Sequence, residues 1–130
     1  MTSIFSKIVA GEISAYKIFE DDKFMAFLDV FPLAKGHTLV IPKVEIDNVF
    51  DIEEDIYRDY MSLCKKIALA IEKAVPCKRI GSAIVGLEIP HAHVHLIPLN
   101  NIADLNFEKE KLCFTESEFK ETAMQIRKYL

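Results

Sequence analysis

The sequence predicts an α+β fold in which an antiparallel five-stranded sheet carries one long helix and short helices at both ends. Two observations lead to this prediction. Three strand-like runs follow one another before any long helix, and strands joined by short turns pair in antiparallel fashion. A long amphipathic run then separates them from two further strand-like runs.

The first elements are a short helix and a hairpin. Residues 3–11 predict a helix, because Ser3 can cap its start and Gly11 stands where a helix stops. Residues 16–20 and 23–28 predict two strands joined by a tight acidic turn.

A third strand and a long helix follow. Residues 37–41 form an apolar, β-rich run that ends at Pro42. Between residues 51 and 75 apolar residues recur every three or four positions, which places them on one face of a helix that Pro76 ends. That face consists of Ile56, Tyr60, Leu63, Ile67, Ile71 and Ala74.

The second half predicts two more strands and a terminal helix. Residues 79–85 and 91–97 are the fourth and fifth strands, and prolines flank the fifth on both sides. Thr115 and Glu118 form a capping-box pattern, so a short amphipathic helix should follow. Its inward residues should be Phe119, Ala123, Ile126 and Leu130.

Composition and charge narrow the class of function. The chain of 130 residues suits one domain with a single core, and 51% hydrophobic with 28% charged residues is an ordinary globular balance. The net charge of −4 argues against a non-specific nucleic-acid binder, and no apolar run approaches the roughly 20 residues of a membrane span. Three scattered cysteines and the lack of a signal-peptide pattern predict a cytoplasmic protein.

Three of the four histidines lie within five residues, as His91, His93 and His95. Side chains alternate between the faces of a strand, so these three imidazoles should share one face. Val94 and Leu96 should then lie on the opposite face. Imidazoles on one side and apolar residues on the other are typical of a site rather than of a core.

Three interpretations of this histidine face remain open. It could be a solvated face without a role. It could bind a metal, because histidines two residues apart on a strand can share one Zn²⁺, with His37 or a carboxylate as a further ligand. In the third, one imidazole is a nucleophile or general base at a phosphorus centre, and the others orient it and stabilise the developing charge.

The residues around the cluster resemble the signature of the histidine triad (HIT) family, closest to its Hint-like branch. Residues 91–98, HAHVHLIP, match histidine-φ-histidine-φ-histidine-φ-φ, where φ is apolar. Residues 4–8 and 36–43, GHTLVIPK, resemble the family's opening helix and an early strand. The resemblance defines a HIT domain over residues 3–100. Residues 101–130 are then a C-terminal extension whose helix packs on the same domain.

The resemblance implies a HIT-like fold that pairs as a homodimer. It also implies a nucleotidyl hydrolase or transferase that acts at the α-phosphate of a purine nucleotide derivative. Such a substrate is a nucleoside phosphoramidate, an acyl-nucleotide or a dinucleoside polyphosphate. The alternative is a non-catalytic nucleotide-binding or sensor homodimer. No cofactor is implied.

The resemblance assigns a role to each histidine. His93 would be the nucleophile that forms a nucleotidyl-histidine, and His91 would orient it. His95 would contact the phosphate, and His37 would support the triad from behind.

The resemblance also implies a nucleotide pocket. Asp29 matches the family's ribose-binding acid, and Gly86 fits a segment that contacts phosphate. Leu87 stands where a glutamine is expected, and Glu88 would bring a carboxylate near the phosphate. The apolar positions around the base would be Ile4, Phe5, Ile8, Phe27 and Val30.

Some relatives hold a structural zinc through two N-terminal cysteines, a later histidine and the first triad histidine. The corresponding residues here are Ser3, Ser6, Glu45 and His91. Serine hydroxyls are poor zinc ligands, so the sequence predicts no structural zinc.

Overall fold

The computed structural model describes residues 2–130, and its order of elements follows the prediction. The helices are α1 (Ile4–Val9), α2 (Glu54–Ala74) and α3 (Glu116–Arg127). The strands are β1 (Lys17–Glu20), β2 (Phe24–Leu28), β3 (Thr38–Pro42), β4 (Arg79–Ala83) and β5 (Val94–Leu99). Two short 3-10 turns, Val49–Asp51 and Ile102–Asp104, are additions that the sequence pattern does not predict.

The five strands form one sheet in the order β1-β2-β3-β5-β4, and every neighbouring pair is antiparallel. This confirms the predicted α+β class. The long α2 connects β3, in the middle of the sheet, to the edge strand β4. Strand β5 then returns between them and pairs Leu39 with His95.

Both faces of the sheet are covered. Helices α2 and α3 pack on one face, with Ile67, Ile71 and Ile126 fully buried there. The short helix α1 contributes to a smaller cluster on the other face. Strands β2 and β3 are buried at every position, which explains why their sequences are apolar runs without alternation. The smaller cluster contains Phe5, Ile8, Met25, Phe27, Leu39 and Ile41.

Capping residues define the ends of α1 and α3, and one buried hydroxyl attaches α2 to the sheet. Ser3 caps α1 by accepting from the Ser6 N–H, and α1 ends before Gly11, whose φ of +81° continues no helix. Thr115 and Glu118 form the predicted capping box on α3. The Tyr60 hydroxyl donates to the Val40 carbonyl at 2.5 Å and so joins α2 to β3.

The structure corrects the predicted bounds of two strands and the predicted orientation of Leu130. Strand β4 ends at Ala83 rather than at residue 85. Strand β5 starts at Val94 rather than at His91, because the backbone N–H groups of His91 and Ala92 donate to the Ile89 and Ile46 carbonyls and not to a neighbouring strand. The prediction that Leu130 points inward is also wrong. Helix α3 ends at Arg127, and Leu130 beyond it is 38% exposed.

Within residues 2–130, none of the helices combines the length and the apolar character that crossing a membrane requires.

Candidate active site

The three clustered histidines lie on the face of the sheet that α1 covers. His91 is fully buried, and His93 and His95 are 7% and 8% exposed. The Phe5 ring of α1 lies 5.8 Å from the His91 ring and 5.1 Å from the His93 ring. The intervening residues pack in the opposite cluster, against α2, so the predicted alternation holds although only His95 is in the strand. Those residues are Ala92, Val94 and Leu96.

Hydrogen bonds fix which ring nitrogen of His91 carries the proton. Its Nε2 lies 2.8 Å from the Pro42 carbonyl, which can only accept, so Nε2–H is the donor. In the neutral ring Nδ1 then accepts, and the Ser3 hydroxyl donates to it at 2.8 Å. His91 is therefore held at both ring nitrogens.

The carbonyl of His91 determines that Nδ1 of His93 carries a proton. His93 Nδ1 lies 2.7 Å from this oxygen and must donate to it. The Nε2 atom of neutral His93 consequently carries the lone pair. Its ring centroid is 4.9 Å from that of His95. The nitrogen of His93 that is free of the backbone is therefore Nε2.

A hydrogen bond from His37 determines which ring nitrogen of His95 carries the proton. The buried Leu33 N–H donates to His37 Nδ1 at 3.0 Å, so His37 carries its proton on Nε2. That proton is donated to His95 Nδ1 at 2.9 Å. His95 therefore presents Nε2–H as a donor. The structure thus brings the four predicted histidines together as two hydrogen-bonded pairs, His91–His93 and His37–His95, whose nearest rings contact each other.

Burial keeps these imidazoles neutral. Desolvation lowers the pKa of His37 to about 3 and the pKa of His95 to about 4, and neighbouring histidines add smaller effects. The pKa of His91 is also lowered, again mainly by burial. At neutral pH all three rings are uncharged, as the assigned donor and acceptor roles require.

Asp29 lies at the His37 end of the site. Its Oδ1 accepts from the Phe31 N–H at 2.8 Å, and its Oδ2 is 3.6 Å from His37 Nε2. Because His37 is neutral, this second contact is not an ion pair. Burial raises the pKa of the Asp29 carboxyl, while the Phe31 N–H partly offsets that effect.

One group within residues 2–130 has the composition of a metal site: the ligand atoms of Asp29, His37 and His95 lie within 4.8 Å of one another. The nitrogens concerned already share a hydrogen bond. A metal on His37 Nε2 would need the proton on Nδ1, and the Leu33 N–H would then lose its acceptor. The hydrogen-bonding pattern therefore favours donor and acceptor chemistry over metal binding at this end.

A cleft of about 230 Å³ lies beside His93. Gly86 contributes to it with a φ of +70°. Leu87 also lines the cleft but is 89% exposed. Glu88 is exposed and does not line it. The lining consists of Asp47, Asn48, Val49, Ile84, Val85, Gly86, Leu87, Ala92 and His93.

The apolar residues predicted to surround a base fall into two groups. Phe5, Ile8 and Phe27 are buried, and the rings of Phe5 and Phe27 contact each other edge-on at 5.6 Å. Ile4 and Val30 are 47% and 48% exposed. The buried residues Phe5, Ile8 and Phe27 are part of the core on this side of the sheet. The exposed residues Ile4 and Val30 offer apolar surface that a ligand could contact.

The sequence interpretation missed two residues of the C-terminal extension. The Phe107 ring lies 4.8 Å from the His95 ring and 6.4 Å from the His37 ring. Lys111 donates to the Phe107 and Lys109 carbonyls. Its charge opposes the rise that burial causes in the pKa of Asp29, and it adds to the lowering that burial causes in the pKa of His37. A lone phenylalanine in a polar tail gives no periodic signal that could have identified it.

Comparison with known proteins gives a family match and similar solved structures. The sequence profile described as the HIT domain matches residues 10–102. An uncharacterized HIT-like protein of Borreliella burgdorferi is 36% identical over 95% of this chain and 94% of its own length. Adenosine 5'-monophosphoramidase HNT1 of Saccharomyces cerevisiae is 36% identical, over 73% of this chain and 61% of its own length. A HIT-like protein from Bartonella henselae, described as involved in cell-cycle regulation, superposes with a TM-score of 0.85 at 30% identity, covering 99% of this chain and 97% of that one.

Fold and site together define a histidine-triad protein, in which three alternating histidines lie on one face of an antiparallel sheet. The chain belongs to the HIT family. Its similarities support an activity of the nucleotide hydrolase or transferase class.

Proposed function

We propose that the chain is a HIT-type nucleoside phosphoramidase or nucleotide hydrolase that acts at the α-phosphate of a purine nucleotide derivative. The reaction passes through a covalent nucleotidyl-His93. The observation that carries this proposal is the 2.7 Å bond from His93 Nδ1–H to the His91 carbonyl, which leaves the lone pair on Nε2. The name of the yeast relative, a monophosphoramidase, favours a phosphoramidate among the possible substrates.

In the first step His93 Nε2 attacks the α-phosphorus. The bond from phosphorus to the leaving amine, acyl oxygen or phosphate oxygen breaks, and the leaving group departs with the electron pair. A leaving amine takes its proton from solvent. The ring of His93 becomes positively charged, and the His91 carbonyl stabilises that charge through the Nδ1–H bond.

His95 stabilises the developing charge on phosphorus. His37 holds its Nδ1, so Nε2–H is available to a non-bridging phosphate oxygen. In the second step water attacks phosphorus and the bond to His93 Nε2 breaks. Nucleoside monophosphate is released, and His93 returns to its neutral form. If another acceptor replaces water, the same enzyme is a transferase.

The nucleoside would lie along the face next to α1. The Asp29 carboxylate would accept from the ribose hydroxyls through Oδ2, because Oδ1 already accepts from the Phe31 N–H. Ile4 and Val30 would contact the base, above the buried Phe5, Ile8 and Phe27. Gly86 would lie next to the phosphate. Glu88 would approach only a leaving group, since it is exposed and outside the cleft.

The decisive experiment is intact-protein mass spectrometry after rapid mixing with adenosine 5'-phosphoramidate. Wild-type protein should gain one adenylyl group transiently, and adenosine monophosphate should accumulate. His93→Ala should form no adduct and show no turnover, although it should still bind adenosine monophosphate. Normal turnover by His93→Ala would refute the covalent mechanism.

One observation favours a second function, a non-catalytic nucleotide-binding or sensor protein. Leu87 stands where the family resemblance implies a glutamine, and its side chain is 89% exposed and offers no hydrogen-bond donor. In that case wild-type protein would bind adenosine monophosphate in calorimetry without forming an adduct or product. The mass-spectrometric experiment therefore separates the two functions.

We also propose that the protein is a cytoplasmic homodimer. Strand β4 lies at one edge of the sheet, and in residues 2–130 it pairs with β5 alone. The segment after β4 exposes Ile84, Val85 and Leu87 by 39%, 44% and 89%. A second copy would cover both the strand edge and these side chains. Light scattering should give about twice the chain mass of 14.8 kDa, and a single-chain mass would refute pairing.

A further inference from the structure

Two serines at the start of α1 face the ring of His91, and a glutamate bonds to both serines. Ser3 Oγ donates to His91 Nδ1 at 2.8 Å, and Ser6 Oγ lies 3.4 Å from the same nitrogen. The Glu45 carboxylate accepts from the Ser3 N–H at 2.6 Å and from the Ser6 hydroxyl at 2.7 Å. The sequence separations of 42 and 39 residues show that these contacts join α1 to the loop after β3.

We propose that Ser3, Ser6 and Glu45, here called the Glu45 clasp, form a metal-free positioning device for the nucleophile. The clasp holds His91 by hydrogen bonds alone, at the positions where the family resemblance implies zinc ligands in some members. Glu45 is its central positioning residue, because it binds two groups of α1 at once. This inference rests on the proposed function only for its consequence on turnover.

The residues of the clasp do not fit a zinc ion. Of the four corresponding side chains, His91 and Glu45 are ordinary zinc ligands, whereas two serine hydroxyls are poor ones. Ser3 is also engaged as the N-cap of α1, accepting from the Ser6 N–H at 3.0 Å. His91 Nδ1 already accepts the Ser3 hydroxyl. A metal would therefore replace existing hydrogen bonds with a weaker set of ligands.

The clasp acts on His93 through His91. The ring of His91 is fixed at Nδ1 by Ser3 and at Nε2 by the Pro42 carbonyl. The same residue's carbonyl holds His93 Nδ1–H at 2.7 Å. Glu45 reaches neither the cleft beside His93 nor Asp29, so it should influence the rate of the chemical step and not substrate binding.

The kinetic test compares two substitutions of Glu45 with a control. Glu45→Ala removes the one oxygen, Oε1, that accepts both hydrogen bonds, and it should lower kcat on adenosine 5'-phosphoramidate about tenfold or more, with KM nearly unchanged. Glu45→Gln keeps an acceptor oxygen and should recover most of that loss. Glu12→Ala, an exposed glutamate at the other end of α1, should behave as wild type. Equal kcat values for Glu45→Ala and Glu12→Ala would overturn the proposal.

A spectroscopic test does not depend on turnover. Long-range ¹H–¹⁵N spectra of the wild type should show His91 protonated on Nε2 and His93 on Nδ1. Glu45→Ala should populate the other tautomer of His91 and broaden or shift the His93 signals, whereas Glu12→Ala should not. Unchanged spectra in Glu45→Ala would overturn the clasp even if the enzyme is active. Changed spectra would support it even if no substrate is turned over.

A metal-binding test addresses the metal-free part of the proposal. Wild-type protein titrated with Co²⁺ should show no thiolate or tetrahedral absorption bands. The triple variant Ser3→Cys, Ser6→Cys, Glu45→His should bind one Co²⁺ with those bands, because it supplies four zinc-type ligands with His91. Stoichiometric Co²⁺ or Zn²⁺ on the wild type at this position, or a triple variant that binds none, would overturn the assignment.

Discussion

His37 connects a buried backbone amide to His95, the proposed phosphate-binding histidine, and the two connections can be broken separately. The Leu33 N–H donates to His37 Nδ1 at 3.0 Å, and His37 Nε2–H donates to His95 Nδ1 at 2.9 Å. An asparagine carbonyl oxygen falls near the position of Nδ1, whereas a glutamine amide nitrogen reaches the position of Nε2. His37→Asn should therefore keep the Leu33 contact, and His37→Gln should keep the His95 contact.

Both substitutions should destabilise the fold by similar amounts. His37 is 2% exposed, and each variant leaves one buried polar group without its partner. Such a group costs about 1–3 kcal/mol of unfolding free energy. In a domain of this size each kcal/mol lowers Tm by about 3–5 °C. Thermal and urea unfolding should thus rank both variants below the wild type and close to each other.

Turnover should separate the two variants. In His37→Gln the donor to His95 Nδ1 remains, so His95 keeps its proton on Nε2 and kcat should change only a few-fold. In His37→Asn that donor is lost and the His95 tautomer is no longer fixed, so kcat should fall about 10–100-fold. The assay is release of adenosine monophosphate from its phosphoramidate, at a temperature well below both midpoints. Equal kcat values in the two variants, or a wild-type rate in His37→Asn, would refute the reasoning.

Three further predictions follow from buried groups and backbone strain. The pKa values of His37 and His95, about 3 and about 4, lie below their ordinary 6.5, so the unfolded chain binds more protons between pH 6.5 and 4. The unfolding free energy should therefore fall as pH drops through that window, by up to about 1.4 kcal/mol per pH unit for each histidine. Urea unfolding at several pH values should show this slope, and the slope should be shallower in His37→Gln, which has one histidine fewer. Phe107→Ala removes a ring 4.8 Å from the His95 ring and admits water, so the pKa of His95 should rise toward 6.5 in a ¹⁵N titration. An unchanged pKa would show that Phe107 does not shield His95 from water. Gly36→Ala should destabilise the protein more than Gly11→Ala. Both glycines have positive φ, so each alanine costs about 1–2 kcal/mol of backbone strain. Only at Gly36 would the added Cβ also lie 3.0 Å from Val75 Cγ2. Equal Tm values for the two alanine variants would contradict that ranking.

The order and type of the elements were predictable because local signals agree with the tertiary structure. Ser3 and the Thr115–Glu118 box cap the helices that they predict, and the apolar face of α2 is the buried one. The start of β5 was not predictable from periodicity. His91 continues the alternating pattern, but its N–H and that of Ala92 bond outside the ladder, and only the tertiary fold decides that. The inward placement of Leu130 failed for a similar reason, since helical periodicity does not show that the helix ends at Arg127.

The site was predictable in its residues more than in its connections. Alternation alone placed the three imidazoles on one face, and this holds even outside regular strand, because extended backbone alternates without a ladder partner. The link from Leu33 through His37 to His95, and the position of Phe107, depend on segments far apart in sequence. Sequence periodicity carries no information about such contacts.

The four histidines also explain why burial is compatible with reactivity here. A buried imidazole loses the solvation of its charged form, so His37 and His95 stay neutral far below neutral pH. Neutrality forces each ring to be one donor and one acceptor, and fixed backbone groups then determine which nitrogen is which. The Leu33 N–H imposes a donor on His95, and the His91 carbonyl imposes an acceptor nitrogen on His93. Two backbone groups, the Leu33 N–H and the His91 carbonyl, thus fix the donor and acceptor nitrogens of the proposed phosphate donor His95 and the proposed nucleophile His93.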